Sequence, residues 1–250
     1  NTSGAHPNSR FTAKATNCPC LSSEFNSLKG VPLSAIIFGG RRAKTAPLVY
    51  QSRDWAHGVF VGATMASETT AAATGAVGVV RRDPMAMRPF CGYNMADYWQ
   101  HWLDMGKKLP NAPKIFNVNW FRTDDEGNFL WPGFGDNMRV LDWIVDRCEG
   151  KVDAQETAIG YLPYAKDINR DGLDMTEEQL DKILDVDKDA WEEELKGVEE
   201  LYAKFGDHLP KELADELAAH LIARLAQNAD LRDFGKNACA RLDSFSREYP

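Results

Sequence analysis

The stretch from Lys114 to Asn137 reads KIFNVNWFRTDDEGNFLWPGFGDN, and much of the predicted fold follows from it. Residues 114–120 alternate in polarity, which predicts a β-strand. Asp125-Glu126-Gly127 is typical of a tight turn, and Phe129-Leu130-Trp131 is typical of a returning strand, so we expect a hairpin. Residues 136–148 then predict a helix. Its expected buried face comprises Met138, Val140, Leu141, Ile144 and Val145.

Strands and helices alternate along the rest of the chain. Short apolar runs bounded by glycine or polar residues predict strands at 35–38, 48–50, 59–61 and 78–81. Helical spacing of apolar residues predicts a helix over 94–105, with Asn94 as its N-cap. Beyond residue 150 the composition becomes acidic, and amphipathic helices are expected at 176–186, 188–204 and 210–229. The pattern predicts an α/β protein, divided into residues 1–150 and an acidic helical region, 151–250.

Composition limits the possible functions. The chain has 250 residues with a formal net charge of −8, which argues against bulk nucleic-acid binding. No apolar run is long enough to span a membrane, so no membrane partner is expected. The odd count of five cysteines is typical of a reduced, cytoplasmic compartment. The opening NTSGAHPNSRFT resembles the interior of a domain, and we expect the chain to be part of a longer protein.

One motif match has a simpler explanation than metal binding. Residues 167–178, DINRDGLDMTEE, fit the spacing of a calcium loop. However, Asp174 occupies a position that is usually apolar, and Pro163 makes the preceding segment a poor helix. Thr176 and Gln179 also have the spacing of a capping box for the next helix. We therefore interpret the segment as an acidic turn and a helix cap. The five histidines show no paired metal spacing and are expected to be structural or on the surface.

Three features are candidates for ligand binding. Arg10, within Asn8-Ser9-Arg10, and Arg41, after a predicted strand and two glycines, could each bind phosphate or carboxylate, or form structural ion pairs. The aromatic residues of 120–137 could be core, or two rings could enclose a purine while Asn137 reads the base edge. The small-residue run 63–77 could be a tightly packed helix or a mobile lid. No G-x-x-x-x-G-K-[ST] phosphate loop occurs.

Several blocks together resemble GTP-dependent phosphoenolpyruvate carboxykinases, specifically the C-terminal part of that family. They are HPNSRF at 6–11, FGGRR at 38–42, HGVFVGATM at 57–65, SETTAAA at 67–73, DPMAMRPFCGYN at 83–94 and FLWPGFG at 129–135. The resemblance extends over residues 1 to about 210. It implies the mixed-sheet, mononucleotide-binding C-terminal lobe of that fold, and conversion of oxaloacetate and GTP to phosphoenolpyruvate, CO₂ and GDP in gluconeogenesis.

The resemblance also implies roles for individual residues. Asn8, Ser9 and Arg10 would contact the carboxylate substrate, and Arg10 and Arg41 the transferred phosphate. The guanine would lie between Phe121 and Phe134, with Phe129 at its edge. Gly135, Asp136 and Asn137 would form the base-recognition segment, in which Asp136 replaces the glutamate usual in the family. The resemblance favours the lid for the small-residue run; its positions are Ser67, Glu68, Thr69, Thr70 and Gly75.

The resemblance implies two kinds of bound group and a missing portion of the protein. The substrates would be GTP or GDP with oxaloacetate or phosphoenolpyruvate, and the cofactor Mn²⁺ or Mg²⁺. The family's phosphate loop and metal ligands precede the NSR segment, so we expect no metal ligand in this chain and no turnover by the chain alone. The complete protein is expected to be a monomer. The alternative function is a non-catalytic guanine-nucleotide-binding module.

Overall fold

The computed structural model describes residues 12–70 and 76–226, the last six of them by their backbone alone. Seven strands lie in this part of the chain: Ala35–Gly39 (β1), Val49–Gln51 (β2), Ala66–Glu68 (β3), Val80–Arg82 (β4), Lys114–Val118 (β5), Gln155–Thr157 (β6) and Gly160–Leu162 (β7). Five form a mixed sheet in the order β1-β5-β2-β7-β6, and β3 pairs with β4 in a separate two-stranded sheet. The predicted mixed α/β architecture is confirmed.

Strand β5 lies inside the mixed sheet. It runs parallel to β1, with Ala35 opposite Lys114, and antiparallel to β2. Its residues from Ile115 to Val118 are all buried, on both faces, rather than alternating between core and solvent. Burial on both faces is typical of a strand with a parallel neighbour. The strand was therefore predicted correctly, although only its inner position explains its burial.

Six α-helices lie in the described chain: Trp55–Ala63 (α1), Met95–Lys108 (α2), Asn137–Glu149 (α3), Glu177–Leu184 (α4), Lys188–Tyr202 (α5) and Lys211–Ala226 (α6). The predicted cap of α2 is confirmed, since the Asn94 side chain accepts a hydrogen bond from the Ala96 N–H. The capping box of α4 is also confirmed, with Thr176 and Gln179 bonded reciprocally. None of the helices in the described ranges is long and apolar enough to cross a membrane.

Two hydrophobic cores hold these elements together. One surrounds Phe116, Trp131 and Trp143, and the other surrounds Phe60, Trp99 and Tyr202. Each core contains residues from before and after residue 150 in the sequence. Strands β6 and β7 of the main sheet also come after residue 150. The acidic region therefore packs directly on the first part of the chain. The functional division at residue 150 stays a prediction.

The strand predicted at 59–61 is wrong, because these residues lie within α1. The Asp54 side chain accepts a hydrogen bond from the His57 N–H and caps the helix. All side chains from His57 to Ala63 are buried. A helix buried on every side has no polar stripe, so its sequence shows the unbroken apolar run of a buried strand.

The predicted hairpin is wrong in its pairing. Strand β5 pairs with β1 and β2, and residues 129–131 form no strand. Only an isolated bridge joins Thr123 to Phe129, around a turn in which Asn128 donates its N–H to Asp124 Oδ1 at 2.7 Å. Both edges of β5 are already occupied by strands distant in sequence, so its own continuation turns away from the sheet.

The buried face predicted for α3 is partly wrong. Val140 and Ile144 are buried as expected, but Met138 and Val145 are 64% and 51% exposed. Trp143 is 1% exposed and packs its ring edge-to-face against Phe116, with ring centroids 6.1 Å apart. The large indole therefore sets the orientation of the helix and turns the two smaller side chains toward solvent.

Candidate functional site

Arg41 lies where β1 ends and approaches β3. A Cβ on the preceding Gly40 would lie 2.3 Å from the Ala66 carbonyl oxygen, so only glycine allows this approach. The Arg41 N–H donates to Ser67 Oγ at 3.2 Å, and its carbonyl accepts from the Glu68 N–H at 2.8 Å. The backbone of Arg41 is thus held on both sides by the first strand of the predicted lid.

Two aromatic residues that are distant from Arg41 in sequence converge beside this loop. The Arg41 guanidinium carbon lies 3.8 Å from the Phe121 ring centroid and 5.9 Å from that of Phe129. The two phenylalanine rings meet edge-to-face, with centroids 5.9 Å apart. Phe129 is 58% exposed. These rings are therefore at the surface, close to a cation suited to phosphate.

Phe134 has the most unusual environment of the aromatic residues. Its side chain is 98% exposed, and its backbone φ is +38°, in the left-handed region that bulky residues rarely adopt. The preceding Gly133 has a φ of +78°. A strained backbone that presents a large ring to solvent is typical of functional sites. The structure does not bring Phe134 against Phe121.

The neighbouring polar residues are held in defined positions. Asn137 Oδ1 accepts a hydrogen bond from Trp131 Nε1 at 2.8 Å, so its amide would address a ligand through the Nδ2 donors. Asp136 Oδ1 accepts from Arg139 Nε at 2.9 Å. Arg139 also donates to the carbonyl oxygens of Asn169 and Asp171, each at 2.9 Å. A guanidinium thus occupies the loop that matches the calcium motif, which supports its interpretation as a turn and helix cap.

A buried cluster of charged side chains helps to hold the Arg41 loop in place. Glu194 of α5 is 8% exposed and accepts hydrogen bonds from Arg42, at 2.5 Å to Nη2, and from Arg82 of β4. Arg42 Nε also lies 3.6 Å from Glu68 Oε1. Burial of Glu194 opposes ionisation, but the hydrogen bond and charge of Arg42, followed by those of Arg82, hold its pKa below the usual value. The cluster joins the loop after β1, strands β3 and β4, and helix α5 of the acidic region.

Comparison with known proteins shows which family this site belongs to. The family model described as "Phosphoenolpyruvate carboxykinase C-terminal P-loop domain" matches residues 1–222. The chain belongs to this family. The match extends beyond Leu209, so the family likeness covers more of the chain than the 210 residues that we expected. Helix α6, whose Leu213 and Leu217 are buried in the second core, begins within the matched region.

Relatives of the carboxykinase family are similar over most of the chain. A protein named "Phosphoenolpyruvate carboxykinase [GTP]" from Anaeromyxobacter sp. (strain K) is 57% identical over 210 residues, which cover 84% of this chain and 35% of the relative. Proteins of the same name from Renibacterium salmoninarum and Treponema pallidum (strain Nichols) are 55% and 54% identical, each covering 85% of this chain and 35% of the relative. The chain spans about a third of the length of these relatives.

Some residues implied by the carboxykinase resemblance cannot be placed. Asn8, Ser9, Arg10 and Gly75 lie outside the described residues. Ser67 and Glu68 hold the Arg41 loop, since Ser67 accepts the Arg41 N–H and Glu68 Oε1 the Ala43 N–H. The Thr69 backbone pairs with Val79 and Gly78, so the two arms of the predicted lid are joined at their base. Nothing tests the assigned roles, which stay predictions.

The Glu194 cluster was not predicted from the sequence. Glu194 is 152 residues from Arg42 and 112 from Arg82. No local spacing relates them, and Glu194 resembles its acidic neighbours on α5. Its one distinguishing feature is its position on the apolar face of the helix, beside the buried Leu195 and Val198.

The buried His57 and His220 and the half-buried Glu216 form a group of possible metal ligands. The two Nε2 atoms lie 3.2 Å apart. However, the Arg53 backbone N–H donates to His57 Nδ1 at 3.0 Å, so the neutral His57 ring carries its proton on Nε2 and donates it to His220. Coordination through His57 Nε2 would require an imidazolate beside a backbone donor. The group does not fit the divalent cation that the family implies, and the two histidines are structural.

The histidine pair makes stability depend on pH. Burial, followed by His220 and Arg53, lowers the pKa of His57 to about 2; burial and Arg53 lower the pKa of His220 to about 4. The nearby Glu216, with Asp54 and Asp215 beside it, has a raised pKa because it is buried. Unfolded histidines titrate near pH 6.5, so below that value the unfolded chain binds more protons and folding weakens.

We expect the free energy of unfolding to fall by about 2–3 kcal/mol between pH 7.5 and 5.5, from the two histidines together. Urea denaturation at both pH values measures the change. His220→Gln should make the dependence shallower, whereas His101→Gln, at an exposed position, should leave it unchanged. Equal pH dependence in all three proteins would contradict the assignment.

Proposed function

We propose that the complete protein is a GTP-dependent phosphoenolpyruvate carboxykinase, which converts oxaloacetate and GTP to phosphoenolpyruvate, CO₂ and GDP. The observation that carries the proposal is the convergence of Arg41, Phe121 and Phe129 beside the strand that begins the predicted lid, in a chain of this family. The Phe121 ring offers a surface for the base of a nucleotide. Arg41, a cation suited to the phosphates of the same nucleotide, lies 3.8 Å from the centroid of that ring.

The aromatic residues are suited to bind the guanine. In the bound state Phe121 and Phe134 would be the two walls, with Phe129 at the base edge. Stacking on one ring contributes about 1–3 kcal/mol. Asn137, whose Oδ1 is engaged by Trp131, would read the base through Nδ2, and Gly135 and Asp136 would line the same edge. Closure of the slot requires movement of the exposed Phe134 segment.

Arg41 and Arg10 are suited to bind the transferred phosphate. Phosphoryl transfer depends on positioning and on neutralising charge at the equatorial oxygens, which guanidinium groups provide. The small-residue lid over Ser67–Thr70 and Gly75 would exclude water, so that the enolate is phosphorylated rather than protonated. The strand that begins the lid is hydrogen-bonded to the backbone of Arg41, which keeps this residue beside the lid.

The remaining groups would come from outside this chain. The sequence contains no phosphate loop, and the histidine pair is engaged internally, so we assign the Mn²⁺ or Mg²⁺ ligands to the rest of the protein. When bound, the metal neutralises phosphate and enolate charge. Edge strand β1 and the segment before it also expose several large apolar side chains, a surface suited to pack against that missing portion: Phe25, Leu28, Val31, Leu33 and Ile37.

A chimaera tests the proposal. This chain would replace the matched C-terminal part of the Anaeromyxobacter relative, with which it shares 57% identity. We expect the chimaera to form phosphoenolpyruvate from oxaloacetate with GTP and not with ATP, and the isolated chain to form none. A folded chimaera without turnover, while the relative itself is active, would contradict the proposal.

A further inference from the structure

We propose that Arg41 controls access to the guanine site by occupying one of its walls. This inference rests on the proposed function. The Arg41 guanidinium lies on one face of the Phe121 ring. We assign the base to this same face, and the guanidinium leaves it when the phosphates of a nucleotide attract it. Arg41 is then a specificity-determining residue that favours nucleotides over unphosphorylated nucleosides, in addition to its proposed contact with the transferred phosphate.

A base and the Arg41 guanidinium cannot share one face of Phe121. The guanidinium carbon is 3.8 Å from the Phe121 centroid, within the range of about 3.5–4.0 Å at which a stacked base would contact the ring. Both groups are flat and bind an aromatic face, so one must leave before the other binds. Phe129 lies edge-on to Phe121, and the same guanidinium is 5.9 Å from its centroid.

The contact is of a kind that a phosphate can displace. The Arg41 backbone is fixed by Ser67 and Glu68, whereas its side chain is long and flexible. A cation near the protein surface gains little from an aromatic face, but a guanidinium forms strong, charge-assisted and often bidentate hydrogen bonds with phosphate. Phosphate binding would therefore release the Phe121 face without disturbing the loop.

Such an exchange couples the two ends of the nucleotide. A nucleoside has to displace Arg41 without compensation, and the affinity lost corresponds to the strength of the ring contact, about two- to fivefold. A nucleotide compensates through its phosphates. By linkage, base and phosphate then strengthen each other's binding.

We expect Arg41→Ala to change the affinities for a nucleoside and for a nucleotide in opposite directions. Guanosine and GTP would be titrated into this chain and into Arg41→Ala, with tryptophan emission as the signal, since Trp120 adjoins Phe121. We expect Arg41→Ala to bind guanosine about two- to fivefold more tightly and GTP, which carries the transferred phosphate, more weakly than the unmodified chain. Arg170→Ala, which removes an arginine that pairs with Glu177, is the control and should change neither.

Failure of this inference is distinguishable from failure of the proposed function. Guanosine affinity that is unchanged or weaker in a folded Arg41→Ala variant would overturn the role of Arg41, while guanine selectivity itself could persist. If neither protein prefers guanosine to adenosine, the guanine site assigned to this stretch is wrong, and the inference is overturned with it.

Discussion

Glu194→Ala is expected to lower the free energy of unfolding by about 3–5 kcal/mol, because it leaves two guanidinium groups without their shared carboxylate. Arg42 is 8% exposed, and the Arg82 side chain is 15% exposed. Neither can recover full hydration in place. The loss should appear in urea denaturation followed by circular dichroism at neutral pH, where Glu194 is ionised.

The neighbouring residue provides a matched control. Glu193 lies on the same helix and pairs with Lys196, but its side chain is 77% exposed. Exposed pairs of this kind contribute between about 0 and 1 kcal/mol, so Glu193→Ala should change stability little. A similar small effect for both variants would show that the buried cluster does not support the fold as described.

Arg41→Ala in the chimaera is expected to reduce phosphoenolpyruvate formation by about a hundred- to a thousandfold. Loss of one charged donor to a transition state costs about 2.7–4 kcal/mol. Steady-state kinetics with saturating GTP measures the effect on kcat. Arg41→Lys should recover part of the rate, because it retains a charge without the guanidinium fork.

Stability must be measured alongside these rates. The Arg41 backbone makes the hydrogen bonds to Ser67 and Glu68, and alanine preserves them, so the unfolding midpoint should move little. Arg170→Ala in the chimaera should retain full turnover. Turnover of the Arg41→Ala chimaera within a fewfold of the parent would contradict the phosphate role of Arg41.

Local sequence patterns predicted much of the secondary structure. Helix α2 was identified from its spacing and cap, and the α4 start from its capping box, because these signals arise within a few residues. The error at 59–61 arose because α1 is buried on all sides and so lacks the polar stripe that distinguishes a helix. The error at 129–131 arose because strand pairing depends on segments that are distant in sequence. Strands β1 and β2 pair with the two edges of β5, so residues 129–131 cannot pair with it.

For the candidate site too, local features could be predicted from the sequence and contacts between distant segments could not. The glycines before Arg41 suited a close approach of the backbone to a ligand, whereas the close approach that the structure shows is that of Gly40 to the Ala66 carbonyl. The family resemblance assigned Arg41 and Phe121 to the phosphate and the base of the same nucleotide, and the structure brings the two side chains into contact. Neither the position of Arg41 on the ring face nor the Glu194 cluster could be predicted, because both depend on how segments more than 70 residues apart meet in the fold.

We propose that residues 120–137 form a guanine site, and a single titration can establish whether they do. GDP and ADP would be added separately to the folded chain while tryptophan emission is recorded, with Phe134→Ala as the matched variant. Phe134 is 98% exposed, so its removal should preserve the fold. We expect a saturable response to GDP, a much weaker one to ADP, and loss of the difference in Phe134→Ala. Equal responses to both nucleotides, or an unchanged preference in Phe134→Ala, would contradict it.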